Sequence, residues 1–105
     1  MDRYILILST VNKFEIAKEI SSYLVENKLA ACVNIIPKVT SIYYWDNKVC
    51  EDNEYLILIK TVKGNFSLVK QYIESVHPYD LPEIISVDIS GGSNEYLDWI
   101  SSSLK

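Results

Sequence analysis

Tyr4-Ile5-Leu6-Ile7-Leu8 is a short unbroken apolar run with β-branched residues, and such a run predicts a strand buried on both faces. The period then changes. Asn12 and Glu15 stand at capping-box spacing, and Ile16, Ala17, Ile20 and Leu24 form a helical stripe that runs to about Asn27. From Ala30 to Thr61 the chain reads as one long β-hairpin: Cys32 to Ile36, a break at Pro37, Val39 to Trp45, a turn at Asp46-Asn47, and a return through Val49 to Lys60. Pro37 lacks an N–H and predicts a bulge or an edge, with a kink in the outgoing arm. Lys63-Gly64-Asn65 interrupts the pattern. Phe66, Val69, Ile73 and Val76 then predict a second amphipathic helix, ended by His77-Pro78 and followed by a connection to Pro82. Glu83 to Ser90 alternates as a half-exposed strand with Ile85, Val87 and Ile89 on one face. After Gly91-Gly92, Leu97, Ile100 and Leu104 predict a C-terminal helix that exposes Asp98 and Ser102.

The order β-α-β-β-α-β with an added helix predicts an α+β, ferredoxin-like subunit with an antiparallel sheet, formed as one domain by residues 1–105. In this topology the first and third strands are central, and they carry the unbroken apolar runs Tyr4 to Leu8 and Tyr55 to Ile59. The two long helices cover one face. Leu56 and Leu58 point to the other, which leaves an apolar face that a second copy of the chain would cover. The hairpin arms also exceed the usual strand of about 5 or 6 residues, so the ribbon projects past the sheet and needs a partner.

Charge narrows the functional classes. Ten basic against fourteen acidic residues give a net charge of −4 with no Lys/Arg cluster, which argues against nucleic acid. The N-terminal apolar run is too short for a signal-peptide core or a membrane span, so the expected compartment is the cytoplasm and no membrane insertion is expected. The two cysteines agree with a reducing compartment. A turn at Asp46-Asn47 pairs residues whose numbers sum to 93, so Cys32 is expected opposite Thr61. That is 61 − 50 = 11 positions from Cys50 along one strand, or about 36 Å, beyond disulfide reach.

Among side chains with chemistry, His77 is the single histidine. It is either a ligand or acid/base group or a helix-terminal residue that bonds free carbonyls. Cys32 is either a thiolate ligand or a small buried hydrophobe. Tyr43, Tyr44 and Trp45 read as packing anchors on an intersubunit ribbon. Lys60 interrupts an apolar strand and needs a carboxylate or an exit to solvent. Glu54 lies about 20 Å along the same strand, so a Glu54 or Glu83 of a neighbouring subunit is the available partner. No nucleophile beside a base and no metal-spaced Cys/His cluster is present, which gives no support for an enzyme.

Leu29-Ala30-Ala31-Cys32-Val33-Asn34, Ser41-x-Tyr43-x-Trp45, Glu54, Ile59-Lys60-Thr61 and His77-Pro78-Tyr79-x-x-Pro82-Glu83-Ile84 together resemble the CutA divalent-cation tolerance family over essentially the whole chain. The resemblance implies a tight homotrimer, similar to the PII-type signalling proteins, in which the hairpin extends a neighbour's sheet through Tyr43, Trp45, Glu54, Leu56 and Leu58. It implies a response to divalent metal ions, copper in particular, or a small ligand held in an intersubunit cleft by Cys32, Lys60, His77, Tyr79 and Glu83. His77 and Cys32 are the metal candidates. A structural, anchoring or PII-like signalling trimer with no metal role is the alternative. Three positions depart from the family pattern: Asn47 stands where Gly is usual, and Ser9 and Val76 stand where copper-binding members carry Cys and His.

Overall fold

Fourteen residues of β2 (Cys32–Trp45) run against fifteen of β3 (Lys48–Val62), and the rest of the chain is assembled on the open end of this hairpin. A computed structural model describes residues 3–104. β1 (Tyr4–Val11) precedes α1 (Phe14–Glu26), and the hairpin is followed by a single 3-10 turn at Lys63–Asn65, α2 (Phe66–Val76), β4 (Ile85–Asp88) and α3 (Asn94–Ser102). The sheet order is β2-β3-β1-β4, with each neighbouring pair antiparallel. The fold is ferredoxin-like, with β1 and β3 central.

The hairpin turns at Asp46 (φ 55°) and Asn47 (φ 61°). Positive φ at both central residues is the type I′ geometry, whose twist matches the flanking strands, and Asp and Asn tolerate it. From Trp45↔Lys48 the numbers sum to 93 as far as Val39↔Glu54, then slip to 92 from Ile36↔Leu56. Pro37 and Lys38, the latter at φ 61°, together oppose Tyr55 as a bulge. Cys32 therefore faces Lys60, not the expected Thr61. The missing proline N–H costs no ladder bond to a further strand, because β2 is a sheet edge.

Two helix details differ from the sequence reading. The residue preceding α1 is Lys13, which makes no side-chain cap bond, so the Asn12/Glu15 spacing does not form a capping box. β1 instead runs three residues beyond Leu8, and Asn12 follows directly on the strand. At its other end α1 closes in a Schellman motif. Lys28, at φ 59°, donates its N–H to the carbonyl of Val25 (3.1 Å), and Leu29 donates to Leu24 (2.9 Å).

Strand alternation separates two faces. Ile5, Ile7, Ile57 and Ile59 are fully buried under Ala17, Ile20 and Leu24 of α1 and Val69 and Ile73 of α2. Ser9 sits on this same face, fully buried, and among the described residues its hydroxyl has no hydrogen-bond partner. The opposite face carries Leu6, Leu8, Leu56, Leu58, Ile36, Ile85 and Val87. α3 covers one end of that face: Ile100 is 1% exposed, and the Tyr4 hydroxyl lies 2.7 Å from Ser101 Oγ. The sequence reading left this whole face to another copy of the chain, so α3 reduces the exposed area without closing it. β4 is shorter than the expected Glu83 to Ser90, and Ile85 and Val87 remain about half exposed.

β1 ends at Val11↔Tyr55, so every hairpin row from Val39↔Glu54 to the turn is two-stranded. This bare ribbon exposes Ile42, Tyr44, Trp45 and Val49. It stretches the molecule to 45 × 25 × 23 Å, with a radius of gyration of 14.3 Å against about 13 Å for a compact chain of this length.

Candidate functional site

Where the ribbon leaves the sheet, it forms a groove of about 740 Å³ with the end of β1 and the connection that follows α2. Thr10 and Asn12 form its floor. Tyr43, Asp52 and Glu54 of the ribbon form one wall, and Tyr79, Asp80 and Glu83 form the other. Four carboxylates line it, and no Lys or Arg does.

The wall after α2 is held by His77. Helix α2 stops there because Pro78 forces His77 out of the helical region (ψ 137°) while its backbone N–H still bonds the carbonyl of Ile73. The imidazole is buried. Its Nε2 lies 2.7 Å from the backbone oxygen of Thr10 and donates to it, and its Nδ1 accepts from the backbone N–H of Tyr79 at 3.1 Å. The Tyr79 ring packs edge-on to the imidazole, centroids 4.6 Å apart. His77 thus ties the connection to β1 and sets Tyr79 over the groove. The carbonyl it bonds belongs to β1, not to the end of its own helix.

Tyr79 donates its hydroxyl to Glu54 Oε2 at 2.6 Å, and Tyr43 donates to Asp52 Oδ2. Glu54 is 6% exposed. Desolvation first, then the hydrogen bond to Glu54 and its charge, raise the Tyr79 phenol well above its ordinary value. The bond to Asp52 is the main cause that pushes Tyr43 up to about 12. Both phenols are neutral near neutral pH and donate to carboxylates, which makes them hydrogen-bond donors rather than candidates for proton transfer.

Of the five residues expected to share a ligand cleft, one chain brings three together here: His77, Tyr79 and Glu83. Cys32 and Lys60 lie at the other end of the same sheet face. They pair with each other, and Lys60 pairs with Leu6, whereas His77 bonds Thr10, four residues or about 13 Å farther along β1. Lys60 Nζ is 3.3 Å from the Tyr96 hydroxyl and 5.5 Å from the centroid of that ring, so α3 supplies its neighbour. One ion cannot bridge Cys32 and His77 of one chain. Among the described residues no three side chains of His, Cys, Asp or Glu converge on a metal position, and both His77 nitrogens are already bonded. A single chain does not fit a dedicated copper centre. Cys32 and Cys50 are both free thiols.

Thr10, Asn12 and Asp52, which line the groove, were missed by the sequence reading as site residues. The acidic run Glu51-Asp52-Asn53-Glu54, opposite Val39 to Ile42, was a usable signal, because ribbon pairing puts Asp52 two rows from Tyr43 and on the same face. The proximity of Thr10 was not, since it depends on the path after α2.

The chain is thus a ferredoxin-like α+β fold with an overlong hairpin and an acidic groove at the hairpin's base. The chain belongs to the CutA1 divalent ion tolerance family, whose sequence model matches residues 5–103. It is 47% identical over 95 residues to the divalent-cation tolerance protein CutA of Thermus thermophilus, covering 90% of this chain and 92% of that one. It is 40% identical to the chloroplastic CutA protein of Arabidopsis thaliana over 96% of this chain, but spans 56% of that longer relative. The crystal structure of CutA1 from Oryza sativa superposes with a TM-score of 0.95 at 37% identity, covering 98% of this chain and 94% of that one.

Proposed function

We propose that this chain works as a homotrimeric protein of divalent metal-ion tolerance or response, binding a small ligand or metal ion in a cleft between subunits, and that it is not an enzyme. The observation that carries this reading is the half-covered sheet face. Leu6, Leu8, Leu56, Leu58, Ile36, Ile85 and Val87 share it, and α3 closes one end only. An apolar face continuous with a bare two-stranded ribbon is the surface a second copy covers. Tyr43, Trp45 and Glu54 lie on or at the base of that ribbon, so they join Leu56 and Leu58 in the contact.

The two ends of the face differ. One carries Cys32 and Lys60, the other His77, Tyr79 and Glu83 among the carboxylates. Unlike ends meet in a head-to-tail ring, which brings the two halves of the expected ligand set together between subunits and gives Lys60 the carboxylate partner it lacks among the described residues of one chain. Copper or another divalent cation would then use His77 and Cys32 from different subunits. The engagement of both His77 nitrogens favours the second reading, a signalling or anchoring trimer with no metal role. Free Cys32 and Cys50 support a reducing, cytoplasmic location.

Sedimentation equilibrium tests the assembly: a trimer mass at micromolar concentration is expected, and a folded monomer there overturns it. Thermal shift against divalent metals and small ligands then separates the two readings, since a specific ligand raises the melting temperature and a purely structural trimer shows no response.

A further inference from the structure

The groove at the base of the ribbon holds two buried polar side chains whose capacity the chain itself does not use. Thr10 is 8% exposed, and among the described residues its hydroxyl has no hydrogen-bond partner. Glu54 is 6% exposed and receives the Tyr79 hydroxyl on Oε2, while its second oxygen has no partner among them. Both line the groove. Neither free oxygen is sealed from solvent: both open into the groove, where water or a bound group supplies the donors that the chain does not. A half-bonded carboxylate on a largely buried residue, beside an unbonded hydroxyl and with both open to the groove, suits an occupant that donates hydrogen bonds and carries positive charge.

The groove's geometry narrows the class of cation. Asp52, Glu54, Asp80 and Glu83 are distributed along the walls and do not converge on one point. A divalent metal ion requires oxygens gathered at about 2.0–2.6 Å. Spread carboxylates suit charges that are themselves spread along a flexible chain. The phenols of Tyr43 and Tyr79 are pinned to carboxylates by their hydroxyls, and with Trp45 they offer aromatic faces to a cation. Even with Lys60 of a neighbouring subunit brought in, one ammonium leaves three of four carboxylates without a counter-charge.

We infer that this groove binds a small linear organic polycation, an aliphatic di- or triamine, with one ammonium held by Glu54 and the Thr10 hydroxyl and the next held by Asp80 or Glu83. The inference rests on the reading of the groove as the ligand site and names the chemical class that fills it.

The test is calorimetry of the full chain with putrescine and spermidine, beside neutral butanediol and Mg²⁺ as controls. Saturable binding of one amine per chain is expected, tighter for spermidine than putrescine and absent for butanediol. Glu54→Gln keeps an acceptor for Tyr79 and removes only the charge, and it should weaken the amine about tenfold or more. Thr10→Val should weaken it less. Melting curves of both variants establish that they fold. No saturable amine binding by the native chain overturns the inference, as does amine affinity unchanged in folded Glu54→Gln. Mg²⁺ binding as tightly as spermidine overturns it in favour of a metal site. Because one chain forms the groove, ultracentrifugation in the same buffer separates the two failures: amine binding to a monomer defeats the trimer alone, and an intact trimer without amine binding defeats this inference alone.

Discussion

Tyr79 and Glu54, twenty-five residues apart, are joined by a 2.6 Å bond in which a neutral phenol donates to a carboxylate that is 6% exposed. Neither is satisfied without the other, since removing the phenol leaves a buried negative charge with no donor. Tyr79→Phe should therefore cost about 2–3 kcal/mol in chemical denaturation. The pH dependence has a definite sign. The Tyr79 phenol is raised in the fold, by desolvation and then by Glu54, above an unfolded value of about 10. The neutral form is the one the fold favours, so its contribution is complete below about pH 10 and is lost as pH rises beyond it. The stability gap between the native chain and Tyr79→Phe should be flat near neutrality and shrink in strong alkali. A gap that grows with alkali would reverse the assignment.

Lys28 occupies the left-handed C′ position of the Schellman motif closing α1, at φ 59°. A residue with a Cβ is strained there by about 1 kcal/mol, and glycine is not. Lys28→Gly should raise stability by about that amount, less the greater freedom glycine gives the unfolded chain. Thermal melts of the two proteins decide it, and a clear loss would mean the lysine side chain makes a contact that outweighs its backbone strain.

Ser9 is buried on the core face between Ile7 and Val11 of β1 and opposite Ile57, and its hydroxyl has no hydrogen-bond partner among the described residues. Removing that oxygen removes a desolvation cost and leaves a gap of one atom. Ser9→Ala should therefore be neutral or stabilising by about 1 kcal/mol, where most buried substitutions destabilise. Urea denaturation showing a loss above that size would place an undetected partner at the hydroxyl.

How far the sequence carries can be seen residue by residue. The strands, helices and sheet order were legible because Ile5, Ile7, Ile57 and Ile59 alternate with Leu6, Leu8, Leu56 and Leu58, and because Pro37 and Asp46-Asn47 punctuate the hairpin. The partner of Cys32 was not, since a bulge shifts every later pair by one and nothing in Pro37-Lys38 states on which side the extra residue falls. α3 was legible as a helix, but its seat on Tyr4 and Lys60 is a long-range contact that periodicity does not contain. That His77 and Tyr79 are neighbours was legible from the helix end at His77-Pro78; that their partners are Thr10 and Glu54 follows from the connection's path, which no local pattern encodes.

Copper should bind weakly. His77 would have to give up either Thr10 or the Tyr79 amide to offer a nitrogen, and Cys32 of the same chain is out of reach. Calorimetry should show binding of about micromolar or weaker affinity that His77→Ala largely removes, against the much tighter binding of a site with converging soft ligands. Submicromolar binding at one ion per chain that survives His77→Ala would place the ligands elsewhere.

The assembly proposal allows a controlled comparison, because two leucine-sized residues are equally exposed in the single chain on different faces. Ile85, on β4, is 51% exposed and shares the half-covered face with Leu8; Leu68, on the outside of α2, is 50% exposed. An aspartate at either position meets the same amount of water in an isolated subunit, so the intrinsic cost of the two substitutions is alike. They differ only in what an assembled neighbour would cover. If the sheet face is the interface, Ile85→Asp buries a charge with no partner, and its desolvation of several kcal/mol weakens the trimer. Leu68→Asp remains on the helical exterior and leaves the mass unchanged. Sedimentation equilibrium of both variants at micromolar concentration reads the result: dissociation of Ile85→Asp with an intact Leu68→Asp supports assembly through the sheet, and equal behaviour of the two overturns it.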